Sequence, residues 1–310
     1  MQLDKQLHHL YLSPANRDYI DQCVIGKIRS VLGDYKLDSV TVFEAAFAIS
    51  YDHSFPGSAF QRDNPFCVEN QLVYVLRALG IYADDRFEFD RTGRTDANVA
   101  CLDQVVILRI SSSNFSLIKQ FMNKVLMPRM CVKSIQCKQF SPRFDCVFRT
   151  YQFLLGTLSD ERVKVLNKEA QCVVGTHDFC NLSYENKEVV RTVNHITVFN
   201  LQVYIGHKIT VMEICGKAFA YHQVRCIASA LLEGNIIQVL QKTEKIKKLV
   251  PGEGLVLLKA KWANAEQEWE SNNTGEEFER FVKEQTKQFA GFAQENTEWN
   301  VKQSIKTIKK

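Results

Sequence analysis

No stretch of this 310-residue chain holds the roughly 20 consecutive apolar residues that a membrane-spanning helix needs, so no membrane association is expected. The opening Met1-Gln2-Leu3-Asp4-Lys5 lacks a basic segment followed by an apolar block, so a secretory signal is not expected either. None of the ten cysteines, spread from Cys23 to Cys226, forms a Cys-x-x-Cys pair, and no Cys/His group has zinc-finger spacing. Free, mostly buried thiols in a reducing compartment are the expectation. Neither sign of charge dominates: the net value of +4 supports nucleic-acid binding only if the positive charge is clustered. No glycine-rich phosphate loop follows a strand, which argues against a nucleotide-binding transferase.

What is present is an ordinary globular composition, 45% apolar and 24% charged, with 20 Phe and 10 Tyr to fill a core. The length suits one large domain or two modest lobes. Residues 1–41 are poorly periodic and read as an N-terminal extension with some helix. Val42–Ser50 reads as a strand. Asn64-Pro65 looks like a helix start, Val68, Leu72, Leu76 and Leu79 recur at helical spacing, and Gly80 supplies a stop. Arg91–Asp103 is a polar loop, Gln104–Ile110 a buried strand, and Phe115–Leu126 a helix.

The grammar then repeats. A strand is expected over Cys146–Leu155, a helix over Glu161–Val174 stopped by Gly175, and a hairpin from Val189–Tyr204 and Lys208–Cys215. Helices are expected over Tyr221–Leu232, ended by Gly234, and over Asn235–Val250, then a strand over Leu255–Trp262. This mixture predicts an α+β fold with a mixed or antiparallel central sheet and flanking helices. The expected division is a first lobe over 42–140 carrying an Asp loop, a second over 141–262, and a polar C-terminal helix or tail over 263–310.

Three segments carry chemistry. In Arg91-Thr92-Gly93-Arg94-Thr95-Asp96-Ala97-Asn98 one carboxylate follows two arginines, whose charge is expected to keep it ionised. Such a group can act as a nucleophile or electrostatic stabiliser at an anomeric carbon, although a loop Asp by itself is ordinarily a turn former. In Arg149-Thr150-Tyr151-Gln152-Phe153, strand alternation puts Arg149, Tyr151 and Phe153 on one face. An aromatic there can stack on an unpaired base and a phenol can relay a proton, while an isolated Tyr in a sheet is ordinarily packing. In Gly216–Arg225, a helical stripe of Val224, Ile227, Ala228 and Leu231 leaves Arg225 at its edge. There it calls for a carboxylate partner or snorkels to the rim.

Taken together and in this order, the segments resemble the TruA family of tRNA pseudouridine synthases. The matching residues are Gly93-Arg94-Thr95-Asp96, Arg149-Thr150-Tyr151, Gly175-Thr176-His177-Asp178-Phe179, and Gly216-Lys217-Ala218-Phe219 with Val224-Arg225. A closing Pro251-Gly252-Glu253-Gly254-Leu255-Val256-Leu257 also fits, so the resemblance spans roughly residues 42–262. It implies the pseudouridine synthase fold with an RNA-binding cleft, and an isomerase that converts tRNA uridine to pseudouridine without metal or organic cofactor. Asp96 would be the essential carboxylate, Tyr151 would stack on the uracil and take part in proton transfer, and Arg225 would pair with Asp96. Arg94 would help extrude the target nucleotide. Arg91, Thr95, Arg149, His177 and Phe219 would belong to the RNA-binding surroundings.

The same resemblance implies tRNA as partner, a location in cytoplasm and/or nucleus, and an assembly that is either a monomer or a homodimer. Gly57-Ser58-Ala59-Phe60-Gln61 with Val68-Glu69, His222–Cys226 and His177–Leu182 resemble the eukaryotic branch acting at tRNA positions 38 and 39. A multi-site branch and a non-catalytic RNA-binding protein on the same fold stay open. The chain departs from the family in three places. Asn98 stands where the family has Gly before Val99, His53 falls within Tyr51-Asp52-His53-Ser54 where a turn Gly is usual, and Ala220 replaces a Leu. Asn tolerates the left-handed conformation, so the turn at residue 98 is expected to survive.

Overall fold

The computed structural model describes residues 14–33, 37, 41–59, 64–83, 89–185, 187–204 and 207–263. The expected tail over 263–310 lies, apart from Ala263, outside the described residues. Two compact units emerge, one from the described residues up to Cys146 with Trp262 and Ala263, the other from Val147–Lys261.

In the first unit, helix α1 (Pro14–Leu32) is a single element where only partial helix was expected. Its polar N-terminal half hides the period, and Val24, Ile25, Ile28 and Leu32 are its buried side chains. Strand β1 (Phe43–Tyr51) is buried from Ala45 onward on both faces, which its apolar run requires. Helix α2 (Val68–Ala78) starts a turn later than Asn64-Pro65 suggested. Asn64 Oδ1 instead accepts from the Phe66 amide at 3.0 Å, closing a turn, and Cys67 takes the N-cap position. Gly80 ends the helix at φ 74°.

Strand β2 (Ala100–Ile110) begins before the expected start at Gln104, within what was read as a polar loop ending at Asp103. Helix α3 (Phe115–Leu126) has the expected bounds, with the Asn114 side chain accepting from the Leu117 amide at 3.2 Å. Strand β3 (Met130–Cys137) was not legible, because Lys133, Ser134 and Gln136 interrupt its apolar pattern. Lys133 is buried and paired with Asp103 at 2.9 Å. The register slips between Ala48 and Ile49 of β1, which face Ser134 and Val132, so Lys133 sits in a bulge. Asn123 of α3 satisfies the backbone beside it: its Oδ1 accepts from Val132 N at 2.7 Å and its Nδ2 donates to Val132 O at 3.0 Å. The strands run β3-β1-β2, antiparallel at both pairings, and the three helices pack on one another, with α3 on β3.

The second unit is built from β4 (Cys146–Gly156), α4 (Asp160–Ala170), β5 (Gly175–Asp178), β6 (Val190–Tyr204), β7 (His207–Gly216), α5 (Gln223–Glu233), α6 (Ile236–Leu240) and β8 (Leu255–Trp262). Its strand order is β8-β4-β7-β6-β5, and the pairs β4–β7, β6–β7 and β5–β6 are antiparallel. The expected hairpin is β6–β7, with Gly206 outside the described residues. Ser159 caps α4, accepting from Arg162 N at 3.2 Å.

Helix α5 is buried nearly all round rather than along one stripe: Cys226, Ser229 and Ala230 join Val224, Ile227, Ala228 and Leu231 inside. The long helix expected over Asn235–Val250 stops at Leu240. Lys242 turns to φ 63° and both the amide and hydroxyl of Thr243 take the Gln238 carbonyl, at 2.9 and 3.0 Å. Beyond that point Ile246, Leu249 and Val250 are too sparse among lysines to hold a buried face.

Candidate active site

Asp96 lies in the loop that leads from the bridge residue Arg91 into β2, and it is half-buried. The residues before it are locked. Thr95 pairs with Ser58 as an isolated antiparallel bridge, its amide donating to Ser58 O at 3.1 Å. The Thr95 hydroxyl accepts from Ser58 N at 2.9 Å and meets the Tyr51 hydroxyl at 2.9 Å. Beyond Asp96, the Val99 amide donates to Asp96 O at 3.3 Å and the Asn98 amide to Phe55 O at 3.0 Å. Asn98 takes φ 62°, so the turn survives without the usual glycine.

Gly57 sets the close approach. It sits at φ +107°, and a Cβ there would lie 2.5 Å from Thr95 O and 3.0 Å from the Asp96 carbonyl carbon. A buried polar network lies beneath. Gln104 Nε2 donates to Gly93 O at 2.8 Å and to Ser58 Oγ at 3.0 Å. Ser58 Oγ donates to Glu69 Oε1 at 2.7 Å, and Glu69 also takes the Arg91 guanidinium. Burial, with the neighbouring Cys101 thiol second, pushes the Tyr51 phenol well above its ordinary value, so it stays protonated and keeps its hydrogen. Burial likewise pushes Cys101 up to about 12.

The two arginines that precede Asp96 are placed differently from one another. Arg91 turns inward to Glu69, and Arg94 is exposed and makes no hydrogen bond or ion pair among the described residues. Sequence spacing could not show this, because the partner Glu69 lies 22 residues away on α2.

In the second unit, Arg149, Tyr151 and Phe153 share the buried face of β4, as alternation predicted. Tyr151 packs edge-on against Phe219, with ring centroids 5.4 Å apart at 88°. Gly216 permits this, since a Cβ there would lie 2.8 Å from Thr192 O and 3.1 Å from the Phe219 ring. The Arg149 guanidinium donates to the Lys217 carbonyl, tying β4 to the same segment. Arg225, half-buried on α5, grips the Val250 carbonyl with Nε at 3.0 Å and an Nη at 2.8 Å. Ser229 closes the ring: its hydroxyl donates to Arg225 O and accepts from Val250 N, both at 2.9 Å. That fixes the plane and direction of the guanidinium.

His177 lies on β5, the last strand in the order. Its Nε2 donates to Val174 O at 2.9 Å and its ring packs edge-on against Phe179 at 5.8 Å. Residues that hold these segments in each unit were not singled out from the sequence: Gln104 in the first, Ser229 and the Val250 backbone in the second, while Tyr51 stood out only within a departure from the family pattern. Each makes at least one contact distant in sequence, Gln104 with Ser58 and Ser229 with Val250. Gly57 was visible only as part of a branch resemblance.

Comparison with known proteins adds the remaining observation. A family described as tRNA pseudouridine synthase matches residues 170–269. The chain is similar to tRNA pseudouridine synthase A of Methanosarcina barkeri, with 30% identity over 234 residues that cover 71% of this chain and 84% of the relative. It is 28% identical over 226 residues to tRNA pseudouridine synthase A of Methanosphaerula palustris, covering 68% of this chain and 78% of the relative. It is also 28% identical over 231 residues to the tRNA pseudouridine(38/39) synthase of Bos taurus, covering 63% of this chain and 47% of that protein. Together with the α+β architecture and the Gly93-Arg94-Thr95-Asp96 loop, these similarities establish that the chain belongs to the TruA family of tRNA pseudouridine synthases and has the pseudouridine synthase fold.

Proposed function

We propose that this chain converts uridine to pseudouridine in tRNA, at positions 38 and 39 of the anticodon stem-loop, with Asp96 as the catalytic carboxylate. The observation that carries the reading is the family membership combined with the rigid seat of the Asp96 loop, where Gly57, Ser58 and Thr95 fix the backbone. The positional assignment is supported by the similarity to the bovine 38/39 enzyme and by the Gly57–Gln61, His177–Leu182 and His222–Cys226 segments.

The reaction is an isomerisation, so atoms balance within the nucleotide. The bond from ribose C1′ to N1 breaks, a bond from C1′ to C5 forms, C5 loses a proton and N1 gains one. A carboxylate can trap the base or the sugar while the base turns. Tyr151, steadied by Phe219, would stack on the uracil and take part in moving the C5 proton. Arg225, with its plane set by Val250 and Ser229, would pair with Asp96 and keep it ionised. Arg94, exposed and uncommitted among the described residues, would take the place of the extruded nucleotide. Arg91, Thr95, Arg149 and His177 each spend side-chain hydrogen bonds on the protein itself, so their roles in this reading are positional.

The test is to incubate the protein with unmodified tRNA transcripts and map pseudouridine at nucleotide resolution. Product at positions 38 and 39 supports the assignment. Product spread over other positions places the chain in the multi-site branch, and no product at any position makes it a binding protein.

A further inference from the structure

Two tyrosines of the second unit face solvent although they touch one another. Tyr184 is 51% exposed and Tyr221 is 55% exposed. Their rings meet edge-on at 6.4 Å, and His222 joins both: it stacks on Tyr221 at 3.8 Å and 27°, and meets Tyr184 edge-on at 4.9 Å. The cluster is held before any ligand arrives. Tyr184 N donates to Tyr221 O at 3.0 Å, which ties two separate loops together. His222 takes φ 60°, a left-handed conformation uncommon for a non-glycine residue, and its ring lies on Tyr221. Tyr221 and His222 belong to the segment that brings Phe219 against Tyr151 and leads into the helix of Arg225.

We propose that Tyr184, Tyr221 and His222 form a stacking platform for an unpaired nucleobase of the RNA substrate, outside the site that receives the target uridine. The inference rests on the RNA-modifying reading above. Large rigid rings with polar edges, exposed and preorganised, are what an unpaired base recognises, because every base offers a π face. The neighbouring charges favour this ligand mode over a phosphate track. Tyr184 also lines a cavity of about 680 Å³ in which Lys187, Lys242 and Lys245 are balanced by Asp178, Glu185 and Glu188. Lys242 is committed to Asp178 at 2.5 Å. With no excess of positive charge on this wall, attraction has to come from the ring faces.

The test uses the full chain with two probes, an unmodified tRNA transcript and an unstructured oligouridylate. Tyr184→Ala and Tyr221→Ala are each expected to raise Kd about 5-fold to 100-fold, with the rate at saturating tRNA unchanged. Tyr184→Phe and Tyr221→Phe are expected to bind like the wild type, since stacking does not need the hydroxyl. The slope of log Kd against log salt is expected to be the same in all variants, because no phosphate contact is lost. Alanine variants that bind both probes as well as the wild type overturn the platform, as do phenylalanine variants as weak as alanine. A reduced salt slope replaces it with a phosphate contact. Pseudouridine formation by the wild type, measured in the same preparations, tests the reading on which the platform rests, so the two failures are distinguishable.

Discussion

Arg225 holds the Val250 carbonyl through two nitrogens of one planar group, and that grip is the feature a substitution removes most selectively. An ammonium cannot reproduce a planar two-point contact. Arg225→Lys is expected to lower the single-turnover rate about tenfold or more while tRNA affinity changes little; a wild-type rate would remove Arg225 from the reaction. At this scale the sequence was legible where strand alternation decides burial, as for Arg149, Tyr151 and Phe153 on one face of β4, and at Asn98, whose left-handed turn was expected. It was misleading for Arg91, whose charge lies two positions before Gly93 in the motif but is spent on Glu69. It was silent on Ser229, a helix-interior hydroxyl that spacing alone makes unremarkable, although it ties the backbone of Arg225 to Val250.

Elements hold these residues through contacts that depend on missing atoms or on buried charge. At Gly57 both the positive φ and the 2.5 Å approach to Thr95 O forbid a side chain. Gly57→Ala is expected to cost on the order of 1–3 kcal/mol and to displace the Asp96 loop. Thermal unfolding and activity would then fall together, and an unchanged melting temperature would contradict the tight-seat account.

Asp178 ends β5 and ties it to Lys242 and the Val189 amide. The Lys242 hydrogen bond first, then the backbone donors, lower its pKa to about 2. The sign follows from the depressed value. Stability from these contacts is present above the ordinary carboxylate pKa and is lost as pH falls from about 4 to about 2. Asp178→Asn is expected to weaken the fold near neutrality and to flatten its acid loss in that window, as measured by urea unfolding at a series of pH values. An unchanged acid profile would show that the contact contributes nothing.

Element by element, the strongly periodic segments were readable, and α3 matched at both ends. Strand β3 was not, since a buried ion-paired lysine in a bulge looks like a loop until Asp103 and Asn123 are seen beside it. Helix α6 was over-read because apolar residues continue past the point where Lys242 and Thr243 end it.

For the molecule as a whole, the order of motifs mattered more than any one of them. A loop Asp, a strand Tyr and a helix Arg are each commonplace, and their sequence along one chain is what resembled a family. The similarity to the Methanosarcina barkeri enzyme over 71% of the chain supports that resemblance. What sequence order could not supply is the seat beneath each group, because Tyr51, Ser58, Glu69 and Gln104 reach the Asp loop from β1, α2, β2 and the intervening turn. The measurement that tests the whole account most directly compares wild type and Asp96→Ala on one tRNA transcript, reading pseudouridine formation and binding affinity in parallel. The account predicts that product vanishes while the transcript is still bound with nearly wild-type affinity; pseudouridine made at the wild-type rate by Asp96→Ala would contradict it.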